Sequence, residues 1–199
     1  MKRTISNSNM LISPGTDLET VFQDLKHELH RAVLDRRHPF RFVMLATVDE
    51  GQPEARYIVL RQVTQELRFL FYTDGRTPKV RQLEQNPLAS LLLYHPGKRV
   101  QVRMPGHFEV LRQGSLWQEH RGRVQGEAMK AYSPTLAPGR VIQTPEQAYR
   151  WEEERDWFTL LAFRPKSMEL LQLQGLEHLR ANFRYEQASN TWKKEWVAP

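Results

Sequence analysis

Three short segments bring basic and hydroxyl side chains together at spacings that suit an anion. Arg56-Tyr57-Ile58-Val59-Leu60-Arg61 alternates like a strand and carries a guanidinium at each end, and its backbone could read a planar polar ring edge-on. Phe71-Tyr72-Thr73 closes the next apolar run with two hydroxyls. Thr77-Pro78-Lys79 then opens a helix, with Thr as a good N-cap and Pro suited to the first helical position. The free amides and dipole of a helix N-terminus favour a negative group. Thr77 adds a hydroxyl donor, while Lys79 and Arg81 add charge, so phosphate is the anion this start would hold. Taken singly, each segment also reads as an ordinary helix start or a solvated strand.

Other chemistries find less support. The chain has no cysteine, which excludes disulfides, thiol catalysis and Cys-ligated metals. His27 and His30 lie one helical turn apart, but a metal site usually adds a third ligand and a supporting shell, so no metal is expected. Neither a G-x-S-x-G elbow nor a P-loop is present. Trp151 and Trp157 read as core or interface aromatics, and Glu152–Glu154 as a solvated helix face.

The elements that must position these groups follow from periodicity. Thr16 and Glu19 have capping-box spacing, and Leu18, Val21, Phe22, Leu25, Leu29 and Val33 recur at helical spacing up to the stop at His38-Pro39. Apolar β-rich runs follow at Phe40–Val48, Glu54–Val63 and Leu67–Thr73, separated by turns. A short helix from Thr77 to Gln85 is stopped by Asn86-Pro87. Strands follow at Leu88–Tyr94 and Arg99–Leu111, the second with a bulge or bend at Pro105-Gly106. Helices are expected over Gly114–Met129 and Pro145–Glu154, around a loop at Ser133–Arg140. Strands return at Trp157–Phe163, Met168–Leu173, His178–Tyr185 and Thr191–Val197. This is mainly β with flanking helices: an antiparallel barrel closed by strands from both ends of the chain.

Composition agrees with a globular chain. There are 199 residues, 40% hydrophobic and 26% charged, enough for one core. No repeat or linker divides it, so residues 15–199 read as a single domain. Residues 1–14 are polar and Ser/Asn-rich and read as a mobile segment without the apolar core of a secretory signal. No apolar run reaches membrane-spanning length, and the default location is cytoplasmic. The net charge of +6 suits an anionic partner, whether nucleic acid, acidic membrane or a phosphorylated small molecule.

The order and spacing of Arg56–Arg61, Phe71-Tyr72-Thr73, Thr77 with Lys79, Asn86-Pro87 and Gln101-Val102-Arg103 resemble the FMN-binding half of the pyridoxamine 5′-phosphate oxidase family. Trp192 and the ending Val197-Ala198-Pro199 resemble that family's close. The resemblance implies an FMN-binding split β-barrel, dimeric, with FMN at the subunit interface. It implies that Arg56, Thr77 and Lys79 hold the FMN phosphate. Tyr57, Ile58, Val59, Leu60 and Arg61 would run along the flavin, Tyr72 and Thr73 would contact ribityl or phosphate, and Gln101 would reach across from the second subunit. Arg61, Arg121, His178 and Arg180 become substrate contacts by the same resemblance.

The departures are informative. The family's strand-end lysine is Arg61 here, and its arginine before the helix lysine is Pro78. Its C-terminal tryptophan falls near Leu171, and its R-L-H-x-R run is replaced by His178-Leu179-Arg180-Ala181-Asn182. The flavin end is therefore closer to the family than the substrate end. The resemblance implies an FMN-dependent oxidase or oxidoreductase that takes a hydride from a small amine or alcohol, phosphorylated or not. The alternatives are a flavin-binding protein without turnover and a nucleic-acid-binding barrel.

Overall fold

The computed structural model describes residues 10–199. The first helix, α1 (Leu18–Leu34), buries Val21, Phe22, Leu25 and Leu29 along one face. Its cap is Asp17 rather than a Thr16–Glu19 box: the Asp17 carboxylate accepts the Thr20 amide at 2.9 Å, satisfying a free donor of the first turn. The helix stops before His38-Pro39, as the proline requires.

The strands are β1 (Phe42–Asp49), β2 (Gln52–Val63), β3 (Phe69–Asp74), β4 (Leu88–His95), β5 (Val100–Leu111), β6 (Phe158–Pro165), β7 (Ser167–Gln172), β8 (Leu179–Glu186) and β9 (Thr191–Val197). Helix α2 (Pro78–Gln85) separates β3 from β4, and α3 (Ser115–Gly122) follows β5. The order β4-β1-β2-β3-β6-β5, closed by pairing of β4 with β5, makes a six-stranded antiparallel barrel. Strands β7, β8 and β9 continue the sheet outward from β5.

Strand β5 serves both parts. Its first residues, Val100–Arg103, pair with β7, and Gly106–Leu111 pair with β6. The change of partner falls at Pro105-Gly106, the bend expected from the sequence. A Cβ at Gly106 would stand 2.2 Å from the Arg164 carbonyl oxygen and 2.6 Å from the Phe163 ring, so glycine is the residue that fits. The barrel interior is packed by Leu45, Leu60, Phe69, Phe71, Leu91, Val102 and Phe163, all essentially buried. Each large side chain there is worth about 1.5–3 kcal/mol of transfer free energy.

Three expectations are corrected. The mobile segment 1–14 does not extend to its last residues: Leu11 and Ile12 are buried in the core, and their amides meet Gln172 Oε1 at 3.1 and 3.4 Å. The remainder of that expectation, residues 1–9, lies outside the described residues. The helix expected over 114–129 ends at Gly122 and resumes as a 3-10 turn from Gly126, which has φ +58°. The charged helix expected over 145–154 shrinks to a 3-10 turn, Pro145–Ala148, with no buried residue. A short helix with no apolar face to dock has little to stabilise it.

Candidate functional site

The anion-binding segments converge at one end of the barrel. Arg56, Thr77 and Lys79 line a single cleft of ≈ 540 Å³, together with Asp49, Glu54, Arg81 and Gln82. Pro138 and Gly139, from the loop after α3, form its far wall. Thr77 is the N-cap of α2, as expected, but its hydroxyl donates to the Asp74 carbonyl at 2.9 Å instead of capping the helix. Pro78 carries no amide hydrogen, so the first free helical donor is the amide of Lys79.

The charges in the cleft are unevenly matched. Arg56 donates to the Thr47 hydroxyl and, at 3.0 Å, to Gln82 Oε1, with Glu54 3.5 Å away. Arg81 pairs with Asp49 at 2.8 Å. Lys79 pairs with no carboxylate among the described residues. Burial, and then the neighbouring Arg56, hold its ammonium below the usual lysine range, against a smaller opposing pull from Asp74. Such a group gains most from an arriving anion.

Gln82 and Asp49 are site residues the sequence did not reveal. Gln82 accepts the Thr47 hydroxyl at 2.7 Å and donates to Asp49 at 3.1 Å, tying α2 to β1. Asp49 ends β1 and Gln82 lies beside the apolar Leu83 on α2, and neither falls in the three basic and hydroxyl segments. The opposite wall is held by Arg76. It pairs with Asp74 at 2.7 Å, donates to the Pro134 carbonyl at 2.6 Å and lies 3.3 Å from the Trp157 ring centroid. The loop carrying Pro138 and Gly139 is thereby fixed to β3.

The remaining expected residues are distributed over both faces of the sheet. Ile58 and Leu60 point into the core, so only their backbone is available to a ligand. Tyr57 and Val59 face outward. Arg61 shares the outward face of Tyr57 and Val59 by strand alternation, at the point where the register with β3 shifts between Leu60 and Gln62. Arg61 then lies 5.4 Å from the Tyr72 ring centroid, with its Nε buried and without a partner. The Tyr72 hydroxyl meets Nδ1 of the fully buried His120 at 2.7 Å, while Thr73, on the other face, stands 3.4 Å from Thr77. Tyr72 therefore does not line the Arg56–Lys79 cleft. Gln101 sits between Tyr94 and Leu171 and does not line it either. Arg121 pairs with Asp156, Arg180 pairs with Glu169, and His178 Nδ1 accepts the Gln174 amide.

Around Tyr57 the outer face of β1, β2 and β4 is apolar. Phe42 is 56% exposed, Tyr57 68% and Tyr94 47%, and they share a hollow with Met44 and Leu92. Elsewhere, Glu28, His38 and His95 bring ligand-type atoms within 4.8 Å of one another. Donor roles argue against a metal there. His38 Nδ1 accepts the Phe40 amide and His95 Nδ1 accepts the Lys98 amide, so each neutral ring carries its hydrogen on Nε2. Glu28 already holds Arg31 at 2.8 Å and His38 at 3.0 Å, with Lys98 3.6 Å away.

A six-stranded split barrel with a phosphate-suited helix start defines the class. The sequence pattern of the pyridoxamine 5′-phosphate oxidase family matches residues 29–152, more than half of the chain, and the protein belongs to that family. A pyridoxine/pyridoxamine 5′-phosphate oxidase of Acinetobacter baumannii (strain SDF) is 28% identical over 112 residues, 56% of this chain and 51% of its own. One from Legionella pneumophila (strain Lens) is 35% identical over 80 residues, 40% of this chain and 37% of its own. The chain thus spans about half, or less, of the curated relatives it matches. Two solved structures share the fold over 94% of this chain. One is an FMN-binding, pyridoxamine 5′-phosphate oxidase-related protein of Nostoc punctiforme PCC 73102 (TM-score 0.72, 23% identity, 99% of that chain). The other is PhzG of Burkholderia lata 383, in complex with tetrahydrophenazine-1-carboxylic acid (TM-score 0.70, 20% identity, 98% of that chain).

Proposed function

We propose that this protein binds FMN with its phosphate in the Arg56–Thr77–Lys79 cleft and acts as a flavin-dependent oxidoreductase on a small amine or alcohol. The observation that carries this reading is Lys79: a partly buried cation without a carboxylate, at a helix N-terminus, beside Arg56. The donor set suits a phosphate monoester: two cations and a free amide, beside the Thr77 hydroxyl that is turned to the Asp74 carbonyl. When bound, FMN supplies the redox chemistry, accepting two electrons from a substrate carbon that bears an amine or alcohol. The protein supplies position. Arg56 and Lys79 anchor the phosphate, the outward backbone of Tyr57–Leu60 orients the ring edge, and Arg76 keeps the Pro138-Gly139 wall in place.

The working unit in this reading is a homodimer joined through the Phe42–Tyr57–Tyr94 face, with FMN at the interface. An exposed, contiguous apolar hollow on a sheet is what a partner surface would cover. The same face argues against a nucleic-acid barrel, because its aromatics are interleaved with Met44 and Leu92 rather than with lysine or arginine. The test is the absorption spectrum and mass of the purified protein titrated with FMN. A flavin spectrum retained through gel filtration, at dimer mass, is expected. Full FMN binding by a monomer would remove the interface, and no FMN binding would remove the reading. A flavin-holding protein without turnover is the second reading, favoured by the internal pairing of Arg121 and Arg180. Steady-state oxygen consumption with amines and alcohols separates the two.

A further inference from the structure

Two hollows meet at the end of the barrel away from the Arg56–Lys79 cleft. One, of ≈ 390 Å³, is lined by Phe22 and Lys26 of α1, by Glu66 and Leu67 of the β2–β3 turn, and by Tyr185 and Trp192 of the β8–β9 hairpin. The other, of ≈ 590 Å³, lies between His107, Lys166 and Gln187. Arg164, Pro165 and Tyr185 line both. Strand β3 separates this place from the cleft. It starts at Phe69, just after Leu67, and ends at Asp74, whose carbonyl accepts the Thr77 hydroxyl, a run of about 17 Å at roughly 3.3 Å per residue.

The wall is aromatic. The Trp192 ring stands 5.7 Å from Phe22 and 5.4 Å from Tyr185, centroid to centroid, and Lys26 Nζ lies 6.0 Å from the Phe22 centroid. The Tyr185 hydroxyl donates to Asn190 Oδ1 at 2.5 Å, which fixes that ring. The rim is cationic. Lys26, Arg164 and Lys166 enter no ion pair among the described residues. The carboxylate among the lining residues is Glu66. Hydrogen bonds from its own amide and the Thr64 hydroxyl hold it below the usual range, with smaller pulls from Arg164 and Lys26. Both cations therefore face the same space as Glu66, whose own turn already satisfies it. That turn is strained. Leu67 sits at φ +59°, costly for a bulky side chain, yet it is only 2% exposed and lines the hollow. Such strain persists where the surroundings impose it, and it gathers at ligand clamps.

Aromatic side chains take a planar ring at these centroid distances, and a guanidinium beside an ammonium takes a carboxylate or a phosphate. Hollows of this size suit a small organic ligand. We propose that the double hollow is a second ligand site, for a planar aromatic anion, with the ring against Tyr185 and Trp192 and the anionic group between Lys26 and Arg164. It requires nothing of the flavin cleft at the other end of β3.

The test is calorimetric titration of the full chain with naphthoate, naphthyl phosphate and the uncharged naphthol. Each anion should bind about tenfold or more tightly than naphthol, the gain from one charge-assisted contact, and the tighter of the two names the anionic group. The double variant Lys26→Gln, Arg164→Gln should remove that gain and leave naphthol unchanged. Arg164 is exposed and Lys26 half-buried, and glutamine keeps most of each stem, so this variant should fold. Tyr185→Leu should weaken all three probes by about threefold or more, the loss of one aromatic contact. Lys79→Ala should change none of them. Naphthol binding as well as the anions, a double variant that keeps the anion preference, or no binding of any probe at millimolar concentration would overturn the proposal. So would full affinity in Tyr185→Leu, or a loss of the anions in Lys79→Ala, which would put them in the flavin cleft instead.

Discussion

Replacing Lys79 by alanine should separate the phosphate from the rest of the flavin. In the protein without ligand the Lys79 ammonium is partly desolvated, lies beside Arg56 and has no carboxylate. Its removal should cost little stability. On binding FMN, the same ammonium would form one charge-assisted contact worth about 1.5–3 kcal/mol. At about 1.4 kcal/mol per decade, Lys79→Ala should weaken FMN by roughly 10- to 150-fold. Riboflavin, which lacks the phosphate, should change by less than about threefold on the same scale. Flavin fluorescence quenching measures both. The sign with pH is fixed as well. An arriving phosphate favours the protonated ammonium, so binding takes up a proton wherever Lys79 is partly neutral. FMN affinity should therefore fall as pH rises through the lowered Lys79 value, and the alanine variant should flatten that limb. Equal losses for FMN and riboflavin, or an unchanged pH profile, would refute the phosphate assignment.

Three further outcomes are expected. Glu28→Gln should lower stability by about 1–3 kcal/mol at pH 7, seen as a shifted urea midpoint. Burial raises the Glu28 carboxyl, but His38, Lys98 and Arg31 together hold it below its ordinary value. Its contribution is therefore complete above the unfolded pKa near about 4.3 and is lost as pH falls through the folded value, so the two proteins should converge in acid. Gly106→Ala should cost about 3 kcal/mol or prevent folding, because the new methyl meets backbone at 2.2 Å; a variant melting like the parent would refute that packing. Tyr57→Glu should shift the protein to monomer in analytical ultracentrifugation and lower FMN retention with it, and a stable dimer would move the interface elsewhere.

Much of the fold was legible because local rules acted alone. α1 announced itself by periodicity, and α2 by Thr77-Pro78 at its start and Asn86-Pro87 at its end. The strands were found within a residue or two. The order of strands was not legible: nothing in Phe158–Pro165 says that it slots between β3 and β5. The helix expected over 145–154 shrinks to Pro145–Ala148 because its charged residues offer no apolar face to pack. Leu11 and Ile12 stand among polar neighbours in the sequence, and their amides meet Gln172 about 160 residues away. At the site, Arg56, Thr77 and Lys79 could be brought together from motif spacing. Their balance of charge could not, because Asp49 lies 32 residues from Arg81 and pairs with it only once α2 packs beside β1.

The insertion of β6 between β3 and β5 also orders events in time. Strands β3 and β5 belong to the first 111 residues, whereas β6 begins at Phe158. A growing chain that has not yet released Phe158–Pro165 holds two long edges without partners, one rich in Phe69, Leu70 and Phe71 and the other ending in Phe108 and Val110. Such edges are templates for pairing with other chains. Contacts of this sequence separation also close slowly. The barrel is therefore most exposed to misassembly during its own synthesis, and co-translational shielding of those two edges, rather than final stability, should govern how much of it reaches the folded state.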